Sequence, residues 1–458
     1  MSQPESNRRY RSGALLLLSV ILTLGLPLGG LAEPAPSDQV FVWVYLPMLT
    51  HGMIYVERTG ILDTSFGDGG LVLTDLTAGG DEGVAMAVQR DGKLLVGGEV
   101  GDEDSYDLDL AVVRYNLDGS LDTTFGVNGW VRTDLDGWND AASDIAVQPD
   151  GRILQSGSSR SDFALVRYDI DGSLDTTFGN GGWVRTDLNS IEDESKAIAV
   201  QPDGKILVAG YAMNGIQYDF ALVRYKADGN LDTDFGTGGW VTTDLTGDQD
   251  QAQALVIQPD GRIILAGSVK RDAPYYRDFG LVRYMPDGTI DDSFGVNGWI
   301  ITNFSGGRDF AYSVALQPDS TIVVAGTAQD GADGDYDFAL ARYTSTGGPD
   351  PSFSSDGKVT TDFNGGEDDA YTLTLQPDGK VVVGGYAFNG LNLDFAVARY
   401  LPGGTLDTSF LGGGMLMTDL MAWDDKGLAI LLQLDGKIVL AGNAFNGLNT
   451  DFALVRYK

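Results

Sequence analysis

Apolar and polar positions alternate in short bursts along this chain, and nowhere with a helical period of 3.6 residues. One stretch shows the pattern. Trp130–Leu135 (WVRTDL) opens with strand-like alternation, and Ala141–Gln148 (AASDIAVQ) follows a short polar loop. The turn Pro149-Asp150-Gly151 leads into Arg152–Gly157 (RILQSG), and a second loop precedes Asp162–Tyr168 (DFALVRY). Asp-Gly between apolar runs is a hairpin signal, because these residues tolerate positive φ. Several strands are apolar on both sides (IAV, ILVAG, FALV), which suits sheets packed face to face.

This four-strand pattern recurs. The phrase LDTTFG at Leu121 and Leu174 has variants at Leu62, Leu231, Ile290, Pro349 and Leu406, with spacings of 59, 53, 57, 59, 59 and 57 residues. A period in this range signals a repeat architecture. Four antiparallel strands repeated seven times predict an all-β, seven-bladed β-propeller over residues 62–458, since radial closure protects sheet edges. A β-helix needs shorter turns of chain, and stacked sandwiches need roughly 100 residues per unit. The LDxxFG phrase is expected to link one blade to the next, on the same face as the PDG turns.

The recurring LDxxFGxxGWVxTDL, IAVQPDGKILVAG and DFALVRY segments resemble the delta-60 repeat of exported bacterial proteins. The resemblance spans residues 62–458 and implies a propeller-like fold and export. It implies no activity and offers no catalytic motif to carry over. Pro349, Ser354, Leu411 and Ser320 depart from the pattern and are expected to loosen single turns.

The N-terminal region adds an address. Arg8, Arg9 and Arg11 precede an apolar stretch from Gly13 to Leu31, and Gly30-Leu31-Ala32 offers small residues for cleavage. Residues 1–32 are therefore expected to be a secretory signal, with no membrane span after cleavage; an uncleaved anchor is the rival. Residues 33–61 form a linker with a possible ring-sealing strand, either Val40–Leu49 or Met53–Val56.

Charge and composition narrow the chemistry. The formal net charge is −35. Without residues 1–32, basic residues fall from 30 to 27 and acidic residues from 65 to 64, leaving −37. Such a surface repels phosphate backbones and argues against nucleic acid. There is no cysteine and a single histidine, His51, outside the repeats, which leaves triad or zinc chemistry almost nothing to draw on.

Four polar positions recur in every copy: the LDxxFG aspartate, the aspartate opening DFALVRY, the arginine of VRY, and the glutamine closing the second strand. A residue every blade carries is expected to serve what every blade needs: turn caps, and arginine forks pairing with carboxylates between blades. A fifth set, Asp81, Asp140, Asp193, Asp250, Asp309, Asp368 and Asp425, falls beside the loop between the first and second strands of the repeat. That loop shares a face with the most variable segments, such as Ser158–Asp162 and Ser268–Asp278. With Trp138 and Trp423, each two residues before a ring aspartate, this set forms the candidate ligand-binding surface. Trp130, Trp183, Trp240 and Trp299 share one repeat position and are expected to pack between blades.

Two acidic stretches resemble calcium-loop spacing: Asp102 with Asp104, and Asp333, Asp335 and Asp337. The EF-hand's terminal glutamate is missing from both. The functional expectation is an exported, non-catalytic propeller presenting variable loops to an extracellular ligand, a glycan or a protein, without an obligate cofactor. The alternatives are a carbohydrate-active enzyme using a carboxylate pair and a calcium-stabilised structural protein.

Overall fold

The structure, a computed structural model, describes residues 61–458 apart from 102–106, 272–275, 305 and 330–333. The expected signal, the linker strands, and Asp102, Asp104 and Asp333 lie outside the described residues. Seven four-stranded antiparallel sheets follow one another, each with its strands in spatial order. Blade 2 is representative: Asp140–Val147, Ile153–Ser159, Asp162–Tyr168 and Trp183–Thr186. The first strands of adjacent blades contact one another around the ring, so they are the inner strands.

The repeat and the blade are out of phase by one strand. WVRTDL, which opens each repeat, is the outer strand of the preceding blade. The ring closes because Leu71–Thr74, from the first repeat, pairs with Thr450–Tyr457 as the outer strand of blade 7. The expectation for LDxxFG is thereby corrected. The phrase joins the third and outer strands within one blade, and the true links between blades, such as 134–139, lie on the opposite face with the variable loops.

Each junction is sealed the same way. The VRY tyrosine of one blade hydrogen-bonds the threonine ending the outer strand of the blade before it, at 2.6–3.0 Å in all seven pairs. Around these bonds sit hydrophobic clusters shared between neighbouring blades. The half-buried tryptophans Trp130, Trp183, Trp240 and Trp299 pack against such clusters, as expected.

The arginine ring differs from expectation. Each VRY arginine pairs with the LDxxFG aspartate of its own blade, as in Arg224–Asp232 at 2.8 Å. Its reach between blades is to a backbone carbonyl: Arg114 Nη1 donates to Ile170 O, and Arg283 Nη1 to Ser345 O, both at 2.6 Å. The guanidinium also lies 4.1–4.8 Å over the ring of the LDxxFG phenylalanine in every blade. The aspartate caps its turn as expected, accepting the hydroxyl two residues on in six blades.

Ser320 and Ser354 keep the glycine conformation of their positions, with φ of 69° and 56°. Both turns survive intact, with the same Gln317 and Phe353 bonding found elsewhere. The strain lies in the residue and not in a changed turn.

Candidate functional site

Every inner strand bulges at one position. Its pairing with the second strand skips Val84, Ser143, Lys196, Gln253, Tyr312, Tyr371 and Leu428 in blades 1 to 7. The bulge presses the carbonyl two residues earlier against the glycine that ends ILVAG in the second strand. A Cβ at Gly98, Gly157, Gly210, Gly267, Gly326, Gly385 or Gly442 would come within 1.8–2.3 Å of that oxygen. The glycine is thus a packing requirement, and the bulge it permits re-aims one side chain per blade.

At these bulges the seven copies differ. Tyr312 and Tyr371 stack across blades 5 and 6, with centroids 4.5 Å apart and planes 8° apart. Phe310 and Tyr386 extend the stack on either side. Tyr386 donates to Asp369, which also accepts the Thr327 hydroxyl at 2.7 Å, and the Lys426 ammonium lies 5.3 Å over the Tyr386 ring. In blades 1 and 3 some of the corresponding positions are charged: Glu82 and Glu194 stand where Phe310 does, Glu99 where Tyr386 does, and Lys196 where Tyr312 does. Glu82 and Glu99 are direct cross-strand partners, and burial, with Glu82 adding, pushes Glu99 up to about 7. Lys196 pairs with Glu194 at 2.7 Å. The inner end of the face that carries the ring aspartates and the variable loops, the acidic face, is therefore aromatic beside blades 5 and 6 and charged beside blades 1 and 3.

The ring aspartates turn out to have a structural duty. In all seven, Oδ2 accepts the amide of the residue after the outer strand's aspartate or asparagine, from Leu76 N to Asp81 through Leu420 N to Asp425, at 2.6–2.8 Å. This ties the link between blades. All seven are fully buried, so they do not form an open ligand surface. Trp138 and Trp423 are exposed, at 57% and 55%. Arg160 lies over the Trp138 ring, and Trp423 meets Phe445 edge-on.

The structure adds two carboxylates that were not grouped with this ring. The aspartate of TDL and the aspartate opening DFALVRY converge on the ring aspartate of the next blade. Among the described residues, five such trios have oxygens within 4.8 Å of one another: Asp75, Asp81 and Asp451; Asp109, Asp134 and Asp140; Asp162, Asp187 and Asp193; Asp337, Asp362 and Asp368; and Asp394, Asp419 and Asp425. Of the calcium-loop residues, Asp337 falls in one of these trios while Asp335 is exposed. Burial and the neighbouring carboxylates raise Asp140 to about 6, Asp425 to about 7 and Asp368 to about 8. The recurrence of Thr-Asp at this point in six repeats, as TDL in five and TDF in one, was the available signal, hidden inside the most scaffold-like phrase.

Comparison with known proteins follows from this repeat. A family described as "Domain of unknown function (DUF5122) beta-propeller" matches residues 89–125, 148–178, 201–235, 258–294, 317–353, 376–410 and 433–458, just over half of the chain. The chain belongs to the DUF5122 beta-propeller family. Each match runs from the glutamine after the inner strand to the LDxxF phenylalanine where the chain continues that far, so the family unit contains the PDG turn, two strands and the VRY arginine with its aspartate. A search of curated proteins returned no match. Among solved structures, virginiamycin B lyase from Staphylococcus aureus is similar at 11% identity and a TM-score of 0.46, over 84% of this chain and 99% of that one. Extracellular domains 1-2 of Drosophila Semaphorin 1b are similar at 10% identity and a TM-score of 0.42, over 84% and 86%. A protein of unknown function from Bacteroides caccae gives 13% and 0.38, over 71% and 93%. Likeness this distant carries no activity across.

Proposed function

We propose that this is an exported, non-catalytic binding propeller of the delta-60 type, which holds an extracellular ligand at the inner end of its acidic face. One observation carries the reading. On a scaffold that repeats its turns, staples and core sevenfold, the departures concentrate on one face, at the bulge positions and the loops between second and third strands. A position held by geometry but free in chemistry is where a repeat protein writes specificity. The half-buried Tyr312 and Tyr371 rings and the Lys426 ammonium offer hydroxyl and ammonium groups beside aromatic surface, braced from below by the buried Tyr386 and Asp369, which suits a polar glycan. The test is a glycan array probed with the protein lacking residues 1–32. Binding should be lost in Tyr371→Ala and kept in Asp150→Asn, whose turn lies on the opposite face; loss in both, or in neither, removes the assignment.

Glu99 favours a second reading. A carboxyl held near 7 directly across from Glu82 is the kind of pair that acid–base hydrolysis uses. Turnover of a glycoside that disappears in Glu99→Gln would replace the binding function with that one.

A further inference from the structure

The junction trios pose a problem that the protein's own side chains leave open. Asp425 is fully buried, and its Oδ2 is engaged by the amides of Leu420 and Met421 at 2.7 and 3.0 Å. Its Oδ1 is buried and accepts no hydrogen bond. The groups that converge on it are further carboxylates, Asp394 and Asp419. The same holds at two other junctions. Asn446 serves Oδ2 of Asp451, and Arg132 serves Oδ2 of Asp109, while the Oδ1 atoms of both aspartates are buried and accept nothing. A buried carboxylate oxygen facing two more carboxylates is costly unless a cation or a proton lies between them.

The junction between blades 4 and 5 supplies an internal contrast. Asn303 stands there in place of the TDL aspartate, and its amide donates to Asp278 Oδ1 at 2.7 Å. Arg271 adds a guanidinium 3.2 Å from Asp278 Oδ2. Donors are present at the trios too: Arg132 pairs with Asp109, Arg185 lies 3.3 Å from Asp162, and Asn389 donates to Asp394 Oδ2 at 2.9 Å. None of them reaches Oδ1 of Asp425, Asp109 or Asp140, and the counter-charge for those buried oxygens must come from outside.

We propose that the junction trios bind divalent cations, one per trio, with Asp394, Asp419 and Asp425 as the best-formed site and calcium as the ion. The donors are all hard oxygens, without nitrogen or sulfur, which selects calcium or magnesium over zinc or copper. Three carboxylates from three strand ends, completed by water, suit calcium's irregular shells of six to eight oxygens better than magnesium's rigid octahedron. Each ion ties the third strand and outer strand of one blade to the inner strand of the next. It therefore clasps the ring at the face where the links run, opposite the arginine staples.

The experiment uses the chain without residues 1–32, stripped with chelator, and calcium chloride alone as the probe. Equilibrium dialysis should count about five ions per chain, one for each trio. The melting temperature should rise by several degrees on adding calcium, and by less with magnesium at the same concentration. Asp419→Asn leaves the buried Asp425 and its amide bonds in place and should lower the count by about one. Asp244→Asn, at a junction whose carboxylates do not converge, should leave the count unchanged. Absence of binding at millimolar calcium, or a count that Asp419→Asn does not alter, overturns the proposal. So does a chelated Asp419→Asn protein that matches calcium-loaded wild type in stability while calcium shifts neither, because protons then share the trio.

Discussion

The tyrosine–threonine staple allows a quantitative test of how the blades are joined. Tyr225 is 1% exposed and Thr186 6%, and their hydroxyls meet at 2.8 Å across the junction of blades 2 and 3. Tyr225→Phe keeps the ring in its place and removes one hydroxyl. The loss is the bond itself, about 1 kcal/mol net, plus the cost of stranding the Thr186 hydroxyl, so roughly 1–3 kcal/mol in all. Thr186→Val strands the tyrosine hydroxyl and should cost a similar amount. The double variant removes both polar groups and substitutes near-isosteres, so it should cost less than the sum of the singles by about 1 kcal/mol or more. Urea unfolding of the four proteins, with unchanged m-values, gives the coupling directly. Tyr343→Phe should cost less, because Thr302 is only half-buried and water can serve it. Additive singles, or a neutral Tyr225→Phe, would show that the junction is held by apolar packing and that the recurring hydroxyl pair is incidental.

Other expectations follow from the same geometry. Ser320→Gly and Ser354→Gly should each stabilise by about 1 kcal/mol, because they relieve a left-handed backbone; thermal melts check this. Deleting residues 61–75 removes the outer strand of blade 7 and bares the edge of Thr450–Tyr457, so size-exclusion chromatography should show self-association. In chelator, stability should fall as pH rises from about 5 to 8. Asp140, Asp425 and Asp368 are raised in the folded state to about 6, 7 and 8, so their contribution is complete below the unfolded carboxylate range and is lost as pH climbs through those values. The LDxxFG aspartates act oppositely. Despite burial, lysine and arginine partners hold Asp122 and Asp232 low, with the Thr124 hydroxyl adding at Asp122, so that stability is present above the ordinary carboxylate range and lost in acid. Unfolding midpoints across pH should therefore peak at mildly acidic values, and a chelated protein with no loss above pH 6 would contradict the trio electrostatics.

The strands, their number and the PDG turns were legible because each is a local signal: an apolar burst, an Asp-Gly pair, a fixed period. The phase of the blade was not. A strand such as WVRT pairs with the strand before it through a long link that contains LDxxFG, and nothing local says whether that link lies inside a blade or between two. The mistake about LDxxFG followed from this, and so did the partner assigned to the arginines. Asp109, Asp134 and Asp140 illustrate the other limit. They come from the start of one strand, the end of another and the start of a third, so each was seen in its own phrase and only Asp140 was set aside as unusual. The bulge positions were hidden for a simpler reason, since Val84, Lys196 and Tyr312 share no chemistry and only the skipped register unites them. The recurring glycine opposite them was visible throughout as part of ILVAG.

The clasp in blade 7 has a mechanical side. Lys458 N donates to the carbonyl of Ile61 at 3.1 Å, and Leu62 bridges Tyr457, so the two ends of the ring leave it side by side. Force pulling residue 61 away from the C-terminus would load these antiparallel bonds one after another, as a zipper, and open the ring at low tension. Force entering at residue 61 and leaving elsewhere on the ring is shared instead between that pairing and the covalent chain that runs on through Leu71–Thr74 into blade 1. A load applied through a single terminus is thus backed by a peptide chain that an end-to-end load bypasses.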